Sequence, residues 1–211
     1  KLGKTPIVVK DGPGFVVNRI LAPYLNESVH LLSEGVPPQE IDKALERFGM
    51  PMGPCTLLDE IGLDIGSKVS KILFAELGDR MKPPALFDKI TEGKRYGKKT
   101  GKGIYLYAGG AEGRKDPDLF TRVGVKEKPG SVNAESIVKR CIYPMINEGA
   151  RCVEEKLVRD VADVDIGMIF GTGFAPFRGG LLRYADTIGI ESVVSDLEIF
   201  ARNMGSRFQP S

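Results

Sequence analysis

Residues Arg19 to Glu27 read RILAPYLNE and residues Arg140 to Glu148 read RCIYPMINE, so one nine-residue phrase occurs twice, 121 positions apart. This constrains the fold more than any other feature, because duplicated units normally pack on each other and share a core that neither closes alone. The echo extends beyond the phrase. The same offset pairs Val17 with Val138, Leu21 with Ile142, Tyr24 with Met145, Ser28 with Gly149 and Leu31 with Cys152, which is the i, i+4, i+7 stripe of a buried helix face. Farther on, Phe48-Gly49 matches Phe170-Gly171, Pro54 matches Pro176, and Asp59 to Gly62 matches Asp186 to Gly189 as the offset drifts to 127. Each copy is expected to be about fifty residues of short helices.

Length and composition agree with a folded chain. Its 211 residues are 42% hydrophobic and 27% charged, enough to close a sizeable core. No apolar run approaches the roughly 20 residues that span a bilayer, and the N-terminus lacks the apolar stretch of a signal peptide. A soluble cytoplasmic protein is expected. Cys55, Cys141 and Cys152 have no C-x-x-C spacing, and the last two lie about 16 Å apart on one helix, too far to bridge. They read as reduced core residues. A net charge of +2, no Trp and one His argue against a nucleic-acid footprint and against a metal cluster.

Along the chain, Pro6-Ile-Val-Val9 is a β-branched, strand-like run followed by the turn Asp11-Gly-Pro-Gly14. Helices are expected from Phe15 to Glu34, from Pro38 to Phe48, after Pro54, and from Leu63 to Leu77. Pro83-Pro84 opens another that closes at Gly93. A glycine-rich basic loop, Lys94 to Gly103, then leads into the short extended segment Ile104 to Tyr107. Residues 108–130 read as a linker, and the second copy begins near Asn133 with its second helix over Asp160 to Phe170. Pro23 and Pro144 fall inside the two long helices at matched positions, so each is expected to kink.

Asp11-Gly-Pro-Gly-Phe-Val-Val-Asn-Arg-Ile20, Phe48-Gly-Met-Pro-Met-Gly-Pro54, Leu58-Asp-Glu-Ile-Gly-Leu-Asp64 and Tyr96-Gly-Lys-Lys-Thr-Gly-Lys-Gly-Ile-Tyr105 together resemble the C-terminal region of the 3-hydroxyacyl-CoA dehydrogenases. With its second repeat the chain is most similar to the α subunits of the multifunctional fatty-acid oxidation complex. The resemblance implies an all-α fold of two tandem helical repeats, of the 6-phosphogluconate dehydrogenase C-terminal-like type. It divides the chain into a residual strand and turn (1–12), a first repeat (13–107), a linker (108–130) and a second repeat (131–211). The implied activity is NAD-dependent oxidation of (S)-3-hydroxyacyl-CoA in fatty-acid β-oxidation. The implied partners are an upstream Rossmann domain, a hydratase domain, a thiolase β subunit and further copies of the chain.

A nicotinamide site normally needs a G-x-G-x-x-G turn between strand and helix. The nearest approach here, Gly171-Thr-Gly-Phe-Ala-Pro176, has proline at the third glycine and follows a helix. The expectation is a C-terminal part whose NAD domain, with its catalytic His and Glu, lies upstream, and which is inactive alone. By resemblance, Asn18 reaches substrate from the first turn of the long helix, where its amide donates to an oxygen. Its repeat partner is Lys139, so the fold itself does not demand Asn. Lys99 matches a family lysine that approaches the cofactor, with solvated surface lysine as the alternative. Phe170 either lines an acyl or pantetheine channel or packs in the core. Lys94, Arg95, Lys98 and Lys102 either steer anionic CoA or hydrate a loop. Pro51 to Pro54 resembles a loop beside the acyl pocket, or merely joins two helices. His30 is twelve residues from Asn18, about 120° around the helix, and reads as a surface or core-edge histidine rather than a base. The competing reading is a non-catalytic helical dimerisation or interaction module derived from such an enzyme.

Overall fold

The computed structural model describes residues 3, 6–108 and 113–211. The first copy contains α1 (Val17–Glu34), α2 (Pro38–Phe48), α3 (Pro54–Ile61) and α4 (Leu63–Leu77). The second answers with α7 (Ala134–Glu154), α8 (Val161–Thr172), α9 (Leu181–Ile188) and α10 (Ile190–Met204). Between them lie α5 (Leu86–Thr91), the antiparallel pair β1 (Tyr105–Leu106) and β2 (Arg114–Lys115), and α6 (Leu119–Val123). The fold is the all-α architecture expected from the duplication. Among the described residues no helix is long and apolar enough to cross a membrane.

Glycines end the helices where the sequence places them. Gly35 closes α1 in the left-handed region at φ 99°; its N–H donates to the Leu32 carbonyl and the Val36 N–H to that of Leu31, satisfying groups the helix end leaves free. At the repeat-related place α7 ends in Lys156 at φ 56°, a conformation that glycine adopts more readily. Asn133 caps α7 by accepting the Ser136 N–H at 2.8 Å. Both long helices continue through their internal prolines.

Residues 6–10 have no ladder partner among the described residues. They run unpaired along the second copy, where the Lys10 N–H donates to the Leu157 carbonyl at 2.8 Å, because no sheet edge among the described residues offers them a ladder. The expected linker, 108–130, carries a short helix of its own. Its α6 buries Leu119, Phe120 and Val123 in the common core, an i, i+1, i+4 cluster within a polar stretch.

The core lies between α1 and α7, where Tyr24, Leu31, Cys141, Ile142, Met145 and Cys152 are fully buried. All three cysteines are free and buried. The two helices run in opposite directions and are joined by a charge network that repeats itself. Arg19 Nε meets Glu148 Oε1 at 2.5 Å and Arg19 Nη1 meets Glu155 at 2.7 Å. Exchanging the copies, Arg140 meets Glu27 at 2.5 Å and Glu34 at 2.6 Å. Each partner is 121 positions from its counterpart. Arg80 completes one cluster, 3.0 Å from Glu148, and Arg207 the other, 2.8 Å from Glu27. These two arginines are 127 positions apart, so the reciprocal contact has the form of a self-complementary dimer interface built within one chain.

The same symmetry resets the register of the shorter helices. Asp42 accepts the N–H groups of Cys55 and Thr56 at the start of α3, at 2.8 and 3.0 Å. Asp165 does the same for Leu182 and Arg183 at the start of α9. Pro54, the first residue of α3, therefore corresponds to Leu181 rather than to Pro176. The shift arises because the α8–α9 connection carries extra residues, including a 3-10 turn at Pro176–Arg178.

Candidate functional site

The α1 start is set by the Asp11–Gly14 turn, in which the Phe15 N–H bonds to the Gly12 carbonyl at 3.0 Å. Phe15 holds φ 48° and is 56% exposed. A non-glycine residue with positive φ costs about 1–3 kcal/mol, sustained here where the chain turns into the helix. One turn on, Asn18 is exposed. It heads a small cleft of about 140 Å³ in which Leu21, Leu25, Ile61, Ile65 and Val69 supply apolar walls. No described residue bonds to its carboxamide, so the donor and acceptor both remain open to a ligand.

Lys99 lies at the other side of the same α3–α4 corner. Its ammonium is 2.5 Å from Asp64 and 5.7 Å from the centre of the Tyr96 ring, and it lies over Gly62, which holds φ 100°. The Lys99 ammonium keeps the Asp64 carboxyl below its ordinary range, chiefly through their hydrogen bond. Both members are about 40% exposed, a pair of the kind worth roughly 0–1 kcal/mol, so an anion can exchange for Asp64 at little cost.

Phe170 is 73% exposed on α8 and is absent from the core. The following residue, Gly171, abuts Val17, whose Cγ1 is 2.9 Å from the position of a Gly171 Cβ. The α8 end thus touches the α1 start, and Phe170 and Phe15 both lie exposed at that junction. Phe170 does not line the Asn18 cleft. Pro51 packs against Gly173, so the Pro51–Pro54 loop holds the copies together as well as linking α2 to α3.

The basic loop divides by burial. Arg95 is 8% exposed, bonded to Asp116 at 2.5 Å and to the Gly103 carbonyl at 2.9 Å. It anchors the loop and plays no part in steering. Lys98 pairs with Glu60 at 2.5 Å. His30 lies at the core edge beside Arg207, in a separate cavity. Burial, with Arg207 and Arg140 nearby, depresses its pKa to about 3, so it is neutral near pH 7 and positioned away from Asn18.

Asp59, quoted in sequence only as part of a motif, is the residue that fastens the loop to the site. Fully buried, it accepts the N–H groups of Ile104 and Tyr105 at 2.9 and 2.8 Å and the Tyr107 hydroxyl at 3.1 Å. Burial raises its pKa to about 6, with those hydrogen bonds opposing. A raised carboxyl binds its proton more tightly folded than unfolded, so its contribution to stability is present below about pH 4 and is lost as pH rises through about 6. The stability of the native chain relative to Asp59→Asn is expected to fall by about 3 kcal/mol over that interval. Urea denaturation of both proteins at pH 4, 5, 6 and 7 checks this, and a pH-independent difference would contradict it.

Comparison with known proteins gives this geometry a setting. The family model described as "3-hydroxyacyl-CoA dehydrogenase, C-terminal domain" matches residues 14–107 and again 137–211. A fatty acid oxidation complex subunit alpha from Shewanella halifaxensis is 49% identical over the whole chain, and one from Shewanella amazonensis is 50% identical. The chain spans about 30% of the length of these relatives. Among solved structures, 3-hydroxybutyryl-CoA dehydrogenase from Escherichia coli K12 superposes with a TM-score of 0.79 at 23% identity. It covers 99% of this chain and 60% of its own, a likeness of fold. The dehydrogenase part of a multifunctional enzyme from C. elegans gives 0.71 at 27% identity, covering 97% and 48%.

Proposed function

Because the chain belongs to the family of 3-hydroxyacyl-CoA dehydrogenase C-terminal domains, we propose that it forms the helical wall of a substrate cleft. The enzyme would oxidise (S)-3-hydroxyacyl-CoA to the 3-keto thioester with NAD, in fatty-acid β-oxidation. The observation that carries this reading is Asn18: an exposed carboxamide with no partner among the described residues, at the head of an apolar cleft in the first turn of α1.

The chemistry assigned to these residues is positioning. The Asn18 amide donates to the substrate hydroxyl or thioester oxygen and so fixes C3 for reaction. The apolar walls behind it receive the start of the acyl chain, with the exposed Phe170 extending that surface from α8. Bound NAD supplies a hydride acceptor, and Lys99 would offset its pyrophosphate charge by exchanging Asp64 for phosphate. The proton leaving the hydroxyl requires a base tuned near neutrality. His30 does not fit that role, and the base would come from a Rossmann domain facing the Asn18 cleft. A neighbouring hydratase domain, a thiolase β subunit, self-association and a cytoplasmic location belong to the same proposal.

The test is a chimaera in which these residues replace the matching part of the Shewanella halifaxensis subunit. It is expected to reduce NAD with (S)-3-hydroxybutyryl-CoA, and Asn18→Ala is expected to lower kcat/KM about 100-fold with little change in the KM for NAD. Unchanged kcat/KM in the variant would refute the role of Asn18. A well-folded chimaera without activity would favour a helical interaction module instead.

A further inference from the structure

The second copy shows the Asn18 cleft in a closed form. Counting 121 positions on along the long helices and 127 along the shorter ones, Asn18, Ala22 and Val69 of the cleft correspond to Lys139, Tyr143 and Asp196. There the two walls are tied together: the Lys139 ammonium meets the Asp196 carboxylate 3.1 Å away, joining α7 to α10. Tyr143 lies beside that pair, whose charges act on its hydroxyl, and is 5% exposed. A helical side chain leans toward the N-terminus of its helix, over the residue four positions before it, so the Tyr143 ring covers the turn of Lys139. In the first copy the same turn belongs to Asn18, and position 22 carries only a methyl group. A cavity of about 150 Å³ accommodates one benzene ring, and the cleft beside Asn18 measures about 140 Å³. The open space is therefore close to one aromatic ring in size, the ring that the second copy supplies from Tyr143.

We propose that Ala22 is a specificity-determining residue, whose short side chain admits the acyl chain of the substrate beside Asn18 and sets how long a chain is accepted. The inference rests on the reading of this cleft as the acyl site and adds to it the residue that opens it. On its buried side Ala22 packs against Leu73 and Met81, so a longer side chain at this position grows toward the cleft, as Tyr143 does in the second copy. The facing wall is set by Val69, half-buried on α4. An acyl chain of four carbons ends one carbon past C3 and makes little use of the space. One of ten carbons has seven past C3, enough to fill a ring-sized cleft. Discrimination by chain length follows, since each methylene that an apolar pocket gains or loses changes kcat/KM about tenfold or more.

The test uses the same chimaera, assayed with (S)-3-hydroxybutyryl-CoA and (S)-3-hydroxydecanoyl-CoA at saturating NAD. Ala22→Leu is expected to lower the ratio of kcat/KM for the decanoyl over the butyryl substrate about tenfold or more, and Ala22→Val to lower it less. Val69→Phe fills the cleft from α4 and is expected to shift the ratio the same way, so the result does not hang on the folding of one variant. Circular dichroism and the thermal midpoint verify the fold of each. A merely structural role would lower both substrates alike. The inference is overturned, with the reading of the cleft left standing, if the parent chimaera needs Asn18 yet Ala22→Leu and Val69→Phe leave the ratio unmoved. A parent chimaera indifferent to Asn18→Ala overturns the reading of the cleft and the inference with it, and a parent that refuses the decanoyl substrate overturns the inference alone.

Discussion

Arg140→Ala is expected to destabilise the chain by about 3–5 kcal/mol in urea denaturation, the range found when one member of a buried ion pair is removed. The guanidinium uses Nε and both Nη groups, binding Glu27 and Glu34 together. Its side chain is 6% exposed and that of Glu27 2%. Deletion leaves Glu27 in a dry interface with Arg207 alone, and the unpaired charge is what costs. Arg19→Ala is expected to cost less, because Arg19 Nη2 already lacks a partner among the described residues. Glu27→Leu combined with Arg140→Met should recover much of the loss, since apolar replacement of a whole buried pair is often neutral. A loss below about 1 kcal/mol for Arg140→Ala would show that the network is solvated and that α1 and α7 are held by apolar packing alone.

The duplication was legible because its signals are local: a repeated phrase, an apolar stripe, and a glycine at the end of most helices. The pairing across the repeats was not, although the signal existed. Arg19 and Glu27 recur as Arg140 and Glu148, yet only antiparallel docking turns two intrahelical spacings into reciprocal bonds. Sequence matching also misaligned Pro54 with Pro176, because an identical residue outweighed a function. The structure aligns Asp42 with Asp165 by the N–H groups they accept. The unpaired residues 6–10 illustrate the opposite limit, for β-branched composition proposes a strand but only a neighbouring edge makes one.

The candidate site was readable only in part. Asn18 and Lys99 came from motif resemblance, and the fold brings both to the α3–α4 corner without any sequence periodicity having linked them. For Phe170 the sequence leaves channel and core both open, and the structure places it exposed on α8, beside the start of α1.

Gly180→Ala is expected to cost about 3–5 kcal/mol, and Gly53→Ala about 2–3 kcal/mol. Both glycines occupy the cap position before a helix, α9 and α3, and so offer no side chain to the free N–H groups there. An aspartate from the preceding helix does that work instead, and a Cβ on either glycine would overlap the Asp165 or Asp42 side chain. Neither aspartate can withdraw without releasing the N–H groups it accepts, so the overlap is relieved only by separating α8 from α9, or α2 from α3. The ranking follows from the backbone. Gly53 has φ −72°, open to any residue, whereas Gly180 has φ 124°, which adds conformational strain for alanine. Serine or aspartate at either position should fare no better than alanine, because the place of a conventional cap is already filled. Chemical denaturation of the six single variants checks the order. If Gly180→Ser matched the native stability, capping by the neighbouring helix would not be what requires glycine here.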